Sequence, residues 1–237
     1  LIMLNQMAGP LFRELSEELA SHYQEGGLLI TGHPDTLILV EKQRKDLIIK
    51  WAPGYDRRSM GSRLFSWFRY LVVVSRHILF AKRTDGFLIA SSPPILGVWF
   101  WLVNNIRRRP YTILVYDIYP DVLVEMGVVQ QGNIIVKVWN WLNKKVYRDA
   151  ESIVTLGKLM ARRLTASNNL SLEKINIIPP WVDTDFIKPL VYENNPLARK
   201  FNPEGKHVVL YSGNMGISHD IDSLLGAAKR LRIRNDL

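Results

Sequence analysis

Short apolar runs alternate with amphipathic stretches along most of the chain. The short runs are rich in Ile, Leu and Val and end at polar, Gly or Pro positions, which is typical of buried strands. These predicted strands lie at residues 2–4, 28–31, 37–40, 87–91, 111–117, 152–156, 175–179 and 208–212. The longer stretches carry apolar residues three and four positions apart and predict helices. The predicted helices lie at residues 11–23, 62–82, 96–107 and 133–148.

The alternation of strands and helices predicts the fold class. Strands that are separated by helices pair in parallel, because each helix crosses back over the sheet. The sequence therefore predicts an α/β fold with a Rossmann-like, doubly wound and mostly parallel sheet. Ligands of such sheets bind at the carboxyl ends of the strands. The residues that follow each predicted strand are thus the first candidates for a site.

The regular pattern lapses between Pro179 and Pro203. This stretch contains several prolines and few long apolar runs, which is typical of a linker between domains. We expect a first domain at residues 1–185, a linker at 186–205 and a truncated second Rossmann-like domain at 206–237. The second domain would consist of one strand and one helix.

Composition and charge limit the kinds of partner, cofactor and membrane contact that this chain could have. Hydrophobic residues make up 47% and charged residues 22%, which is typical of a folded chain. The net charge of +9 calls for an anionic partner, and the absence of cysteine excludes disulfides and Cys-ligated zinc. The histidines show no metal-ligand spacing, so no metal site is expected. The longest apolar run, at 95–103, is too short to cross a bilayer as a helix, which takes about 20 residues.

Four segments together resemble one enzyme family. They are ASSPPILG (90–97), YDIYPDVLVEMG (116–127), IIPPWVDTDFIKP (177–189) and YSGNMGISHDIDSLLGAAKRL (211–231). In this order they resemble family four of the GT-B glycosyltransferases, and the branch that looks most similar assembles bacterial O-antigen, colanic acid and other exopolysaccharides. The resemblance covers nearly the whole chain.

The resemblance implies two Rossmann-like domains that face each other across a cleft. The amino-terminal domain would bind the acceptor and the carboxy-terminal domain the nucleotide sugar. The implied reaction is retaining transfer, without a metal or other cofactor, to a lipid-linked saccharide in exopolysaccharide or lipopolysaccharide synthesis. We expect a cytoplasmic protein that lies peripherally on the inner face of the cell membrane. The alternative is a non-catalytic acceptor-binding subunit or remnant that needs a separate donor-domain polypeptide.

The segment SGNMGISHD offers a site for the donor diphosphate. Gly213 and Gly216 permit close approach of the backbone, and the N–H groups at the start of the following helix attract an anion. Asn214 and His219 stand where the family more often has Arg and Lys. The alternative is a glycine turn capped by Ser218 or Asp220.

Gly9 matches the family's glycine-rich loop after the first strand, and the resemblance assigns it to the donor phosphates as well. A plain helix start at Pro10 is the alternative.

Two carboxylates follow the predicted strand at 111–117. Asp117 lies near the end of this strand, where it could accept or orient the proton of an acceptor hydroxyl. Asp121 is a second candidate, and its alternative role is to cap a helix that begins at Val122. For Asp117 the alternative is to satisfy loop N–H groups.

The turn at 91–94 also ends a predicted strand. Ser92 and Pro93 are candidates for contact with the acceptor, because the prolines fix a rigid turn beside serine hydroxyls. The alternative is a simple strand terminator.

The segment 57–83 mixes arginines with aromatic residues. On a helix, this mixture suits contact with an anionic membrane surface, and Arg63, Trp67 and Arg69 are the predicted contacts. Part of the helix, at 71–74, belongs to the expected core. Nucleic-acid binding is the alternative for a basic and aromatic surface, but no nucleic-acid-binding module is present in the sequence and no nucleic-acid partner is expected.

Overall fold

Seven parallel strands form one sheet. The computed structural model describes residues 1–33, 46–182, 184–185, 187–202, 204, 208–213 and 220–232. The strands are β1 (Ile2–Leu4), β2 (Gly27–Thr31), β3 (Leu47–Trp51), β4 (Phe87–Ala90), β5 (Tyr111–Val115), β6 (Ser152–Thr155) and β7 (Ile175–Ile177). Their order is β3-β2-β1-β4-β5-β6-β7, and each neighbouring pair is parallel. The predicted α/β fold with a Rossmann-like parallel sheet is confirmed.

The strand order reverses at β1, which lies between β2 and β4. Ile2 is paired with Leu28 on one side and with Phe87 on the other. Strands β2 and β3 therefore follow one another on one side of β1, and strands β4 to β7 follow one another on its other side. At such a reversal the loops after the central strands diverge and leave a crevice at the carboxyl edge of the sheet.

Helices connect the strands and account for the remaining regular structure. They are α1 (Pro10–Ser21), α2 (Met60–Phe80), α3 (Leu96–Asn104), α4 (Asp121–Glu125), α5 (Ile134–Asp149), α6 (Lys158–Asn168), α7 (Pro196–Phe201) and α8 (Ile221–Leu231). Short 3-10 helices lie at Leu172–Lys174 and Tyr192–Asn194. The four helices predicted from periodicity are confirmed as α1, α2, α3 and α5.

Buried side chains alternate between the two faces of the sheet. On β1, Ile2 and Leu4 face a cluster that includes side chains of α2, α3, α5 and α6. Met3 faces the opposite cluster, which includes Phe12 and Ala20 of α1. Both faces of the strands are buried, which is why they read as continuous apolar runs. Complete burial of each of these large side chains stabilises the fold by about 2 kcal/mol.

Strand β3 and helix α6 were not predicted from the sequence. Strand β3 carries Lys50 and Trp51, and only Leu47 is buried, because β3 lies at the edge of the sheet. Helix α6 is polar, and only Ala161 and Leu164 are buried. The strand predicted at 37–40 lies outside the described residues.

The chain divides into two compact units, Leu1–Trp181 and Val182–Leu237. The second unit contains α7 and α8, and its described residues include no strand. The segment at 208–212 therefore has no paired strand among the described residues, and the exposed fraction is 94% for Val209 and 81% for Leu210. A strand gains most of its stability from pairing with neighbouring strands. None of the described residues of the second unit pairs with this segment in that way. The predicted linker and start of a donor domain stay predictions.

Candidate functional site

Four loops meet at the carboxyl edge of the sheet, beside the reversal in strand order. They follow β1, β3, β4 and β5 and comprise residues 5–9, 52–59, 91–95 and 116–120. The carboxyl ends of parallel strands lie at one edge, so side chains that are distant in sequence come together here. This edge is the candidate site.

Gln6 holds several of these loops together. Its backbone N–H donates to the carbonyl oxygen of Ser92 at 3.1 Å. Its side-chain Nε2 donates to the carbonyl oxygens of Pro53 at 3.0 Å and Ser66 at 3.1 Å. Gln6 is buried. The loops after β1, β3 and β4 and the first part of α2 are thus fixed relative to one another by one side chain and its backbone.

Gly9 is the N-cap of α1, and Pro10 is the first residue of that helix. The backbone of Gly9 is extended, with φ −83°, and a Cβ atom at this position would meet no atom within 4 Å. The carbonyl oxygen of Gly9 accepts the Arg13 N–H at 3.0 Å. This geometry matches the alternative of a plain helix start, and the assignment of Gly9 to donor phosphates stays a prediction.

Asp117 follows β5 directly, at the carboxyl edge. Ser91 Oγ accepts hydrogen bonds from the N–H groups of Tyr116 at 2.9 Å and Asp117 at 3.4 Å, and so fixes the backbone at this position. Within the described part of the chain, the Asp117 carboxylate has no hydrogen-bond or ion-pair partner. The residue is exposed, but neighbouring protein atoms remove part of its hydration and raise the pKa of the carboxyl above its ordinary value. The predicted role of Asp117 is compatible with this placement.

Asp121 is placed differently. Its Oδ2 accepts a hydrogen bond from Arg163 Nε at 2.8 Å, and Arg163 Nη1 also lies 2.8 Å from Glu125 Oε1. The N-cap of α4 is Pro120, and no side chain caps this helix. The capping interpretation of Asp121 is therefore wrong. Its carboxylate is held in an ion pair, so a role as a base would require that pair to break.

The turn after β4 separates the two predicted acceptor contacts. Ser92 is half-buried, whereas Pro93 is buried and its carbonyl oxygen accepts the Leu96 N–H at 2.9 Å. The peptide bond between Ser92 and Pro93 is cis. Pro93 thus links β4 to α3 from a buried position, and Ser92 is the one of the pair that a ligand could reach.

Two stacked aromatic pairs involve loops of the candidate site, and neither was predicted from the sequence. Tyr55 stacks on Trp67 and Tyr119 stacks on Trp139, each with ring centroids 6.2 Å apart. Burial raises the pKa of Tyr119, and the negative charge of Asp117 raises it further. Tyr119 lies two residues after Asp117 in the loop that follows β5. The sequence did contain a signal for these pairs, because Tyr55 and Tyr119 each follow a strand at the carboxyl edge.

The three predicted membrane contacts on α2 do not share one surface. Trp67 is half-buried and stacks on Tyr55, toward the candidate site. Arg63 is also half-buried, and its Nε has no hydrogen-bond partner among the described residues. Arg69 is exposed, with its guanidinium 5.8 Å from the ring centroid of Phe65. Arg69 is thus the most exposed of the three, and contact of these residues with a membrane stays a prediction.

The predicted donor-phosphate segment lies in the second unit. Gly213 is described and forms a bend, whereas Asn214, Gly216 and His219 lie outside the described residues. Asp220 caps α8, because its Oδ1 accepts the Ser223 N–H at 3.0 Å. The capping alternative is confirmed for Asp220, and phosphate binding by the segment stays a prediction.

Neither a metal centre nor a membrane-spanning helix is found among the described residues. No three His, Asp or Glu side chains in the described part of the chain lie close enough together to hold a metal ion. In the same residues, no helix combines the length and the apolar character that a membrane span requires.

Comparison with known proteins gives one informative relative. The chain is 27% identical over 188 residues to the probable glycosyltransferase WbjE of Pseudomonas aeruginosa. The matched part is 74% of this chain and 45% of WbjE, so the chain spans less than half the length of the relative. No protein-family model matches the chain. The similarity to WbjE supports a glycosyltransferase.

Proposed function

We propose that this chain is the acceptor-binding part of a retaining glycosyltransferase. The enzyme would move a sugar from a nucleotide sugar to a lipid-linked saccharide in the synthesis of a cell-surface polysaccharide. The observation that carries the proposal is the placement of Asp117, whose carboxylate has no partner among the described residues, at the carboxyl edge, where loops that hold two stacked aromatic pairs also lie. Similarity to WbjE supports sugar transfer. The family resemblance supports the retaining course and the lipid-linked acceptor.

Asp117 acts on the acceptor hydroxyl in this proposal. The carboxylate accepts a hydrogen bond from the hydroxyl and orients its oxygen toward the anomeric carbon of the donor. The raised pKa makes this carboxylate a stronger base than an ordinary aspartate, so it takes the proton more readily as the glycosidic bond forms. Ser91 contributes by holding the backbone at Tyr116 and Asp117.

The aromatic pairs bind the saccharide. A sugar ring has apolar C–H faces and a polar rim, and a site with aromatic side chains and a few polar groups suits both. Tyr55 and Tyr119 offer ring faces and hydroxyl groups on loops at the carboxyl edge, where Asp117 also lies. Ser92 is a further polar contact in the proposal.

The donor belongs to the second domain in this proposal. Its diphosphate is the leaving group, and the segment from Gly213 through Asn214 and Gly216 to His219 is proposed to stabilise the charge that develops there. The proposal includes neither a metal ion nor an organic cofactor, as the family resemblance implies. The nucleotide sugar is a substrate.

Sugar transfer by the protein, isolated at its native length from its source cells, tests the proposal. Radiolabelled sugar nucleotides are supplied one at a time, with a lipid extract of the same cells as the source of acceptor. We expect label in the lipid fraction with the unchanged protein and with Glu173→Gln, an exposed carboxylate elsewhere, and loss of label with Asp117→Asn. Absence of transfer from every sugar nucleotide would contradict the enzyme. Saccharide binding without transfer would favour the acceptor-binding subunit.

A further inference from the structure

The solvent-facing side of α2 is unusually apolar. Its exposed large side chains recur three and four positions apart and form one line along the helix, which we name the α2 stripe. The α2 stripe consists of Met60, Leu64, Phe65, Phe68 and Val72. The exposed fraction is 62% for Phe65 and 57% for Phe68. An exposed apolar patch of this kind marks an interaction surface more often than a random surface does.

The opposite side of α2 is already used by the core. Tyr70, Leu71, Val74 and Ile78 are buried and belong to the cluster between the helices and the sheet. The α2 stripe is therefore a second apolar face on the same helix. Its side chains take no part in the described core of the first unit.

Positive charges accompany the α2 stripe. Arg69 and Arg76 are exposed on α2, and Arg57 is exposed just before the helix. No Asp or Glu occurs between residues 57 and 84. Arg58 is also exposed, but it forms an ion pair with Asp56 and holds the pKa of that carboxyl at about 2, so its charge is already neutralised. The surface thus requires a partner that is both anionic and apolar.

We infer that the α2 stripe binds the surface of an anionic lipid membrane. Phenylalanine, leucine and methionine side chains enter the boundary between headgroups and acyl chains, while arginines meet the anionic headgroups. This charge complementarity selects an anionic bilayer over a neutral one. A nucleic acid would satisfy the arginines, but it would leave most of the aliphatic side chains of the α2 stripe in water.

Membrane binding here would also deepen the proposed function. Helix α2 begins directly after the loop that contains Tyr55, and Trp67 on its inner side stacks on that residue. A bilayer in contact with the α2 stripe therefore lies beside the carboxyl edge, where a lipid-linked saccharide would enter. The position of the acceptor rests on the proposed function, whereas vesicle binding by the α2 stripe does not.

Vesicle sedimentation tests the inference with no sugar nucleotide present. The 237-residue chain is mixed with phosphatidylcholine vesicles, with or without phosphatidylglycerol. The variant Phe65→Ser/Phe68→Ser removes the centre of the α2 stripe, and Leu159→Ser/Phe201→Ser removes two exposed apolar side chains elsewhere. Arg69→Gln/Arg76→Gln is matched by Arg162→Gln/Arg199→Gln, which removes the same charge from exposed positions on α6 and α7.

We expect binding to vesicles that contain phosphatidylglycerol, and weaker binding as salt is added. The Phe65→Ser/Phe68→Ser variant should lower the partition coefficient about tenfold or more, because two aromatic rings no longer leave water. Each arginine removed from α2 should lower it about fivefold, which corresponds to about 1 kcal/mol near an anionic membrane. The two control variants should bind like the unchanged chain.

Three results would overturn the inference. One is the absence of binding to anionic vesicles at low salt, and another is equal loss of binding in the control variants. The third is a concentration-dependent dimer in sedimentation velocity that Phe65→Ser/Phe68→Ser abolishes, because the α2 stripe would then join two copies of the chain. If vesicle binding behaves as expected but no sugar transfer is found, the membrane inference stands and the proposed enzyme fails.

Discussion

Trp67 stacks on Tyr55 with ring centroids 6.2 Å apart and ring planes inclined by 10°. The pair connects the first turns of α2 to the loop after β3, which is one of the loops of the candidate site. We expect Trp67→Leu to weaken saccharide binding, because the stacking energy of about 0.5–1.5 kcal/mol is lost. The acceptor KM should rise several-fold while kcat changes less. The acceptor KM of Trp67→Phe, which keeps an aromatic ring, should lie between those of the unchanged enzyme and Trp67→Leu. An unchanged KM in Trp67→Leu would show that the pair does not contribute to the site.

Replacement of Asp117 should affect the chemical step. Loss of a general base or of its orienting hydrogen bond lowers the rate by about 10²–10⁴-fold. We expect Asp117→Asn to lower kcat within this range, with the circular dichroism spectrum unchanged. The kcat of the unchanged enzyme should rise with pH through the raised pKa of Asp117. Near-normal turnover in Asp117→Asn would show that another group takes the proton.

The same substitution should leave stability intact at neutral pH. The pKa of Asp117 is raised in the folded chain by desolvation, so the folded state favours the protonated carboxyl. Its contribution to stability is therefore present at low pH and is lost as the pH rises through the raised pKa. Asp117→Asn should melt at an equal or higher temperature than the unchanged chain near pH 7. The difference should vanish below the ordinary carboxyl pKa of about 3.9. A lower melting temperature at both pH values would assign Asp117 a structural role.

Gln6 should be necessary for the arrangement of the loops. Gln6→Met keeps the length of the side chain but leaves the carbonyl oxygens of Pro53 and Ser66 without their donor. Since both bonds are partly or fully buried, we expect the free energy of unfolding to fall by about 2 kcal/mol or more. Urea denaturation measures this change. Gln130→Met, at an exposed position, is the matched control and should change the free energy little.

Asp121 should matter less than Asp117. Asp121→Asn weakens the ion pair with Arg163, which lies at the surface. Surface pairs contribute at most about 1 kcal/mol, so we expect a small decrease in thermal stability and near-normal transfer. Arg163→Gln is the companion variant, since it breaks the same pair and leaves the Asp121 carboxylate in place. A large loss of transfer in Asp121→Asn, but not in Arg163→Gln, would restore Asp121 as a catalytic candidate.

Periodicity was sufficient to predict the interior of the sheet. The central strands and α1, α2, α3 and α5 are apolar where they pack, so their patterns follow from burial. Strand β3 escaped prediction because an edge strand with Lys50 and Trp51 has only one side chain in the core. The segment at 208–212 looked like a strand from its composition, but pairing depends on neighbours that a local pattern does not contain.

The candidate site was predictable only in outline. The rule that ligands bind after parallel strands placed Asp117 correctly at the carboxyl edge. The contacts that distinguish it from Asp121 are long-range: Arg163 lies on α6, and Ser91 on the turn after β4. Likewise, the spacing of Trp67 on α2 does not reveal that the ring turns inward to Tyr55. Tertiary packing decided which of the candidate side chains remain accessible.

The position of β1 in the middle of the sheet has a consequence for the order of synthesis. Ile2 pairs with Leu28 and with Phe87, and during synthesis Phe87 leaves the ribosome well after the other two residues. Chains grow at about 5–20 residues per second, so one edge of β1 has no partner for several seconds. During this interval Met3 and Leu4, which are fully buried in the folded sheet, lack part of their packing. We expect slower translation between residues 31 and 87 to lengthen this interval.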